Sequence, residues 1–104
     1  MEYQKSLFGK TVIDSSDSDE LKDSEKIELE YYETHHLAEV NGREYGIEII
    51  KKKEINEKFN IESKIVNNIS NEENKVYRLL EILMLNKVTP ITVDDIISDI
   101  SVLD

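Results

Sequence analysis

From Lys26 onward the chain alternates apolar and charged positions, with Ile27, Leu29 and Tyr31 on one side and Glu28 and Glu30 on the other. That period of two predicts a half-buried strand. Tyr45, Ile47 and Ile49 repeat the pattern, and Asn41-Gly42 between the two runs is a hairpin signal, because both residues tolerate positive φ. The two strands are therefore expected to be antiparallel neighbours. A two-residue turn pairs Val40 with Arg43 and sets Ala38, His36 and Thr34 opposite Tyr45, Ile47 and Ile49, which splits the apolar sets between the faces. A three-residue loop from Val40 to Gly42 pairs Leu37 with Tyr45 and restores one apolar face, so it is the preferred register. After the polar Asn56-Glu57-Lys58, a third strand carries Phe59, Ile61, Ile65 and Val66. Upstream, Leu7-Phe8 and Thr11-Val12-Ile13 around Gly9 read as a short edge strand or an extended arm.

The period then changes to that of a helix. Ser70 to Glu73 has the S-x-x-E form of a capping box, and Val76, Leu79, Leu80 and Leu83 recur at helical spacing behind it. Ile82, Met84 and Leu85 widen the stripe, which predicts burial of the helix's C-terminal half on two sides. Asn86 suits a left-handed cap and Pro90 forbids simple continuation. Thr92 is placed to cap a second helix whose first turn holds Asp94 and Asp95, with Val93, Ile96, Ile97, Ile100 and Leu103 as its inner stripe. Together these elements predict an α+β fold, an antiparallel meander of three to four strands packed against two C-terminal helices.

Length sets the scale: 104 residues make one domain with a thin core, 35% of them charged. Along it, residues 1–13 are expected to form an N-terminal strand or arm, 14–25 an acidic, serine-rich flexible loop without periodicity, and 26–104 the α+β domain proper. The formal net charge of -10 is uneven. Eight acidic residues lie between Asp14 and Glu30 against two lysines, and four between Thr89 and Asp104 against no base. Such a surface repels phosphate backbones and anionic membranes and attracts a basic partner, so neither nucleic acid nor membrane is expected as a partner. Without a cysteine the chain can form no disulfide, thiol nucleophile or cysteine-ligated metal centre. No apolar run approaches a membrane span and the N-terminus lacks a signal-peptide pattern, which points to the cytoplasm.

Candidate chemistry is sparse. Gly9-Lys10-Thr11 ends like a phosphate-binding loop, but Gln4 stands where the motif needs a glycine. His35 and His36 are adjacent on a strand and so point to opposite faces; only one can join a site with Glu33 or Glu48. Asp17-Ser18-Asp19 lacks the glycine and closing glutamate of a calcium loop, and Ser15, Ser16, Ser18 and Ser24 are weak phosphorylation candidates. The Lys51-Lys52-Lys53 run marks a strand end as readily as a contact for an acidic partner. The helical segments look like the opening of a helix-turn-helix domain, yet the sequence stops where a recognition helix would start. No catalytic residue, cofactor or metal site is assigned, and an enzyme is not the favoured reading.

The order Glu28-Leu29-Glu30-Tyr31-Tyr32, Asn41-Gly42, Tyr45-Gly46-Ile47-Glu48-Ile49 and Asn86-Lys87-Val88-Thr89-Pro90-Ile91 resembles a family of short uncharacterised clostridial proteins, a domain of unknown function. The resemblance covers roughly residues 26 to 100. It implies a bacterial source and a compact domain and brings no site residues with it. Three readings follow. The first is a non-enzymatic protein-interaction or regulatory module that binds another protein through Tyr77, Met84 and Leu85 or through the acidic loop. The second is a small ligand-binding domain or enzyme with a polar site around Tyr31, His35, Tyr45 and Glu48 at a dimer interface. The third is a structural homo-oligomer, a homodimer being the simplest, or an acidic inhibitor of a basic target.

Overall fold

The computed structural model describes residues 4–17, 21–22, 25–38, 42–55 and 57–100. Four strands follow one another as an antiparallel meander, β1 (Gln4–Ile13), β2 (Ile27–Ala38), β3 (Gly42–Ile55) and β4 (Lys58–Ser70), in the spatial order β1-β2-β3-β4. Two helices follow among the described residues, α1 (Glu73–Leu85) and α2 (Val93–Ile100). The N-terminal segment is thus a full edge strand, and β4 is the edge on the other side.

The pairing of β2 with β3 sets Ala38 opposite Gly42, His35 opposite Tyr45, Glu33 opposite Ile47 and Tyr31 opposite Ile49. His35, not Leu37, therefore faces Tyr45, a correction of two residues to the preferred register. The connection still spans three residues, but it is 39–41, so Gly42 belongs to the strand. Parity is unchanged by a two-residue shift, which is why Leu29, Tyr31, Ile47 and Ile49 still share a face. Asn41, with the rest of that connection, lies outside the described residues, as do Ser18, Asp19, Ser24 and Leu103.

One face of the sheet is covered. Leu29, Tyr31, Ile47 and Ile49 are fully buried against Val76, Leu80 and Leu83 of α1 and Val93 of α2. At about 1.5–3 kcal/mol for each such side chain, this interface is the main source of stability. Phe8, at a bulge between Leu7 and Gly9, turns its ring onto the same face and meets Tyr77 at a centroid distance of 5.9 Å. Gly46 is required by a second irregularity: a Cβ there would collide with the backbone carbonyl of Val66, where β4 bulges around Asn68 (φ 57°).

The helix ends differ from expectation in detail. Ser70 closes β4, its hydroxyl accepts a hydrogen bond from the Glu72 amide at 3.0 Å, and α1 starts without a side-chain cap, so the capping box is not formed. At the other end Lys87 (φ 50°), not Asn86, takes the left-handed conformation. The Val88 amide donates to Leu83 O and the Lys87 amide to Met84 O, a Schellman ending that drives Val88 into the core. Leu85 is 72% exposed, so α1's C-terminal half is not buried on two sides. In α2, Val93 is buried and Ile96 and Ile97 pack against the core. At its described positions the acidic segment makes contacts: Asp14 and Asp17 close a turn, Leu21 is buried, and Lys87 Nζ reaches Asp17 Oδ1 at 2.8 Å. That ammonium, with hydrogen bonds inside the turn, holds the Asp17 carboxyl below its usual pKa.

Candidate functional site

The residues first considered as a polar site do not converge. Tyr31 is a core residue whose hydroxyl donates to Val88 O at 2.8 Å, and burial holds its phenol well above the ordinary pKa. His35 and Tyr45 face each other on the covered side of the sheet, ring centroids 6.0 Å apart. Glu48 projects from the opposite face, where Lys5 Nζ lies 3.2 Å away. A different polar group sits beside His35: its Nδ1 is 3.7 Å from the buried carboxylate of Glu33, and its Nε2 is 3.0 Å from Gln4 Oε1. The charge of Glu33, followed by burial and the charge of Glu73, raises the Tyr77 phenol. The first-considered helical patch is divided as well. Tyr77 and Leu85 are exposed, whereas Met84 packs against the core beneath Gly9.

An open pocket of about 580 Å³ lies near the α1 C-terminus, lined by apolar Ile13, Leu21 and Ile27 and by three lysines. Each lysine already has a carboxylate: Lys51 faces Glu62, Lys53 faces Glu25 and Lys87 faces Asp17. Among the described residues, then, every lysine lining this pocket is already paired with a carboxylate. Among the described residues no cluster of His, Asp and Glu is placed to hold a metal ion.

Among the described residues no helix packs over the other face of the sheet. Its middle is covered by its own long side chains. Glu30, largely buried, accepts from the Tyr32 hydroxyl at 3.0 Å and lies 3.4 Å from Lys52 Nζ and 3.6 Å from Lys10 Nζ. Burial opposes ionisation of Glu30, but these hydrogen bonds and lysine charges outweigh it and set its pKa below the ordinary value. Lys5 Nζ sits 4.5 Å above the Tyr32 ring and bridges to Glu48. Toward β4 this polar cover ends. Phe59, Ile61 and Ile65 stand on the open face 63%, 59% and 43% exposed, on an edge strand of 13 residues. Their alternation is plain in the sequence; that nothing covers them is not, because a pattern of period two shows which residues share a face and not what lies over it.

A four-stranded meander backed by two helices on one face, with the opposite face open and an edge strand on each side, defines a small two-layer α+β domain without an enclosed site among its described residues. The chain belongs to a family of unknown function (DUF6514), whose model matches residues 10–102. That match begins within β1 and takes in the acidic serine-rich segment, so the family likeness reaches further toward the N-terminus than residue 26. No curated protein and no solved structure matches the chain. Among the described residues no helix is long and apolar enough to cross a membrane.

Proposed function

We propose that this chain is a non-enzymatic protein-interaction module of a bacterial cell, and that it engages its partner through β4 and the adjoining open face. The observation that carries the reading is the exposure of Phe59, Ile61 and Ile65 side by side on an unpaired sheet edge. An edge strand with free backbone donors and an apolar face is a template for another chain, and monomeric proteins normally blunt such edges. The bacterial setting fits the Ile-, Asn-, Lys- and Glu-rich composition.

The test is capture of partners by the tagged full-length protein from nuclease-treated bacterial lysate, read by mass spectrometry. Two folded variants serve as comparisons, Phe59→Ser with Ile61→Ser on β4, and Tyr77→Ala with Leu85→Ala on α1. A stoichiometric partner, whether another protein or the untagged chain, should be retained by the α1 variant and lost by the β4 variant. Retention by the β4 variant, or no partner at all, would count against the reading.

A further inference from the structure

We infer that the partner of β4 is a second copy of this chain, joined edge to edge in one antiparallel register centred on Ser63. The inference rests on the interaction-module reading and adds to it the occupant and the residue pairing. A symmetric antiparallel pair of edge strands has its two-fold axis perpendicular to the sheet, so each residue faces one on the same side of the sheet. Only registers centred on a residue satisfy this.

With the axis at Ser63, Ile61 faces the partner's Ile65 and Ile65 faces the partner's Ile61, both pairs on the open face. On the covered side Glu62 faces the partner's Lys64 and Lys64 faces the partner's Glu62. Opposite charges and β-branched pairs directly across an antiparallel ladder are the favourable combinations, and like charges are unfavourable. Moving the axis by one residue to Glu62 or to Lys64 sets two like charges face to face. Moving it to Ile61 sets Lys58 against the partner's Lys64, and moving it to Ile65 runs the ladder into the irregular stretch around Asn68 (φ 57°). A register centred on Asn60 also sets Lys58 against the partner's Glu62 and Phe59 against the partner's Ile61, but it uses only residues 58–62 of the strand, so Ser63 is the centre at which charge and apolar surface agree over the longest regular stretch.

The existing ion pairs extend the pattern. Lys64 Nζ is 3.2 Å from Asp94 Oδ2, and Glu62 Oε2 is 3.9 Å from Lys51 Nζ. In the dimer the charges would alternate in sign along the row Asp94, Lys64, the partner's Glu62 and the partner's Lys51, with no like charges adjacent. Both copies keep their helices on the same side. The joined sheet has eight strands, twice the four of one copy, and the exposed edge of β4 is removed from each.

The experiment is sedimentation equilibrium of the full chain with two single charge variants, each checked for folding by circular dichroism. Wild type should show a concentration-dependent mass rising from 12.1 kDa toward twice that value. Glu62→Lys alone and Lys64→Glu alone each create two like-charge pairs in the dimer and should weaken it about tenfold or more. Mixed in equal amounts, the two variants set a lysine of one copy against a glutamate of the other at both cross-strand positions, so the mixture should recover dimer. A wild-type mass of 12.1 kDa at every concentration would overturn the inference. So would a dimer indifferent to the single substitutions, or a mixture that stays monomeric. A monomeric wild type that still loses a different captured protein on β4 substitution would leave the interaction reading standing and this inference refuted.

Discussion

The two faces of one sheet are built from the same strands, residue by residue in alternation, yet they are held by different physics. On the covered face Leu29, Tyr31, Ile47 and Ile49 meet the α1 and α2 stripes and are fully removed from water. On the open face the middle strands carry Glu30, Tyr32, Glu48 and Lys52, held by ion pairs and hydrogen bonds to one another and to Lys5 and Lys10 of β1, while exposed apolar side chains stand toward the edges, Leu7 and Val12 on β1 and the larger group of Phe59, Ile61 and Ile65 on β4. Burial against a second layer is worth kilocalories per side chain, whereas half-exposed charge pairs are worth a fraction of that. The covered face therefore sets stability, and the open face is free to carry a surface that serves something else.

The sharpest way to break this comparison is to delete equivalent apolar bulk from each side. Leu80→Ala, which opens a cavity at the centre of the covered face, should cost about 2–5 kcal/mol in urea unfolding followed by circular dichroism. Phe59→Ala removes a larger side chain from the open face, but at concentrations where the chain is monomeric it should change stability by no more than about 0.5 kcal/mol. Comparable losses at the two positions would mean that the open face is covered in solution.

A smaller effect separates shape from hydrogen bonding inside the covered face. Tyr31→Phe keeps the ring and removes only the donor to Val88 O, the bond that ties β2 to the linker between the helices. Stability should fall by about 1–3 kcal/mol, because the buried carbonyl loses its side-chain partner. Since burial raises the Tyr31 pKa, the neutral phenol is favoured in the fold. Its contribution should be complete below the ordinary tyrosine pKa of about 10 and disappear as pH climbs through the folded value. The wild-type advantage over Tyr31→Phe should therefore shrink in alkali; an advantage constant with pH would contradict the assignment.

These contrasts also explain what the sequence made legible. The strands β2 and β3 and both helices could be read because a thick apolar layer leaves a strict period, and the shared face survived a register error of two because parity did. The register itself depended on where the three-residue connection begins, and Asn41-Gly42 marked the turn's neighbourhood without fixing Gly42 inside the strand. Ser70 matched a cap motif but is used to end β4, a case of tertiary context overriding a local signal. Residues 1–13 read only as a short strand or arm because no position of β1 is fully buried, so no strict apolar period marks it. The bare edge was invisible for the same reason that the fold was visible: Phe59, Ile61 and Ile65 have the same alternation as core residues, and only counting the two helices against two sheet faces shows that one set goes without cover.

The finest test asks whether the open face is held by charge. Glu30 is ionised more readily in the fold than an ordinary glutamate, because its burial is outweighed by Tyr32, Lys52 and Lys10 together. A lowered folded pKa contributes stability that is present above the unfolded value of about 4.3 and is lost as pH falls through the folded one. Glu30→Gln keeps the shape and removes the titration. The wild-type melting temperature should exceed that of Glu30→Gln at neutral pH, and the gap should close in acid. Asp17 and Glu25 titrate with the same sign, Asp17 chiefly through its hydrogen bond from Lys87 and Glu25 chiefly through its hydrogen bond from the Lys22 amide, so the variant should retain some acid sensitivity of its own. The difference between the two curves isolates the open-face cluster. If the gap is flat from neutral pH into acid, Lys10 and Lys52 add nothing to Glu30 in solution, and the face beside β4 is organised by its apolar residues alone.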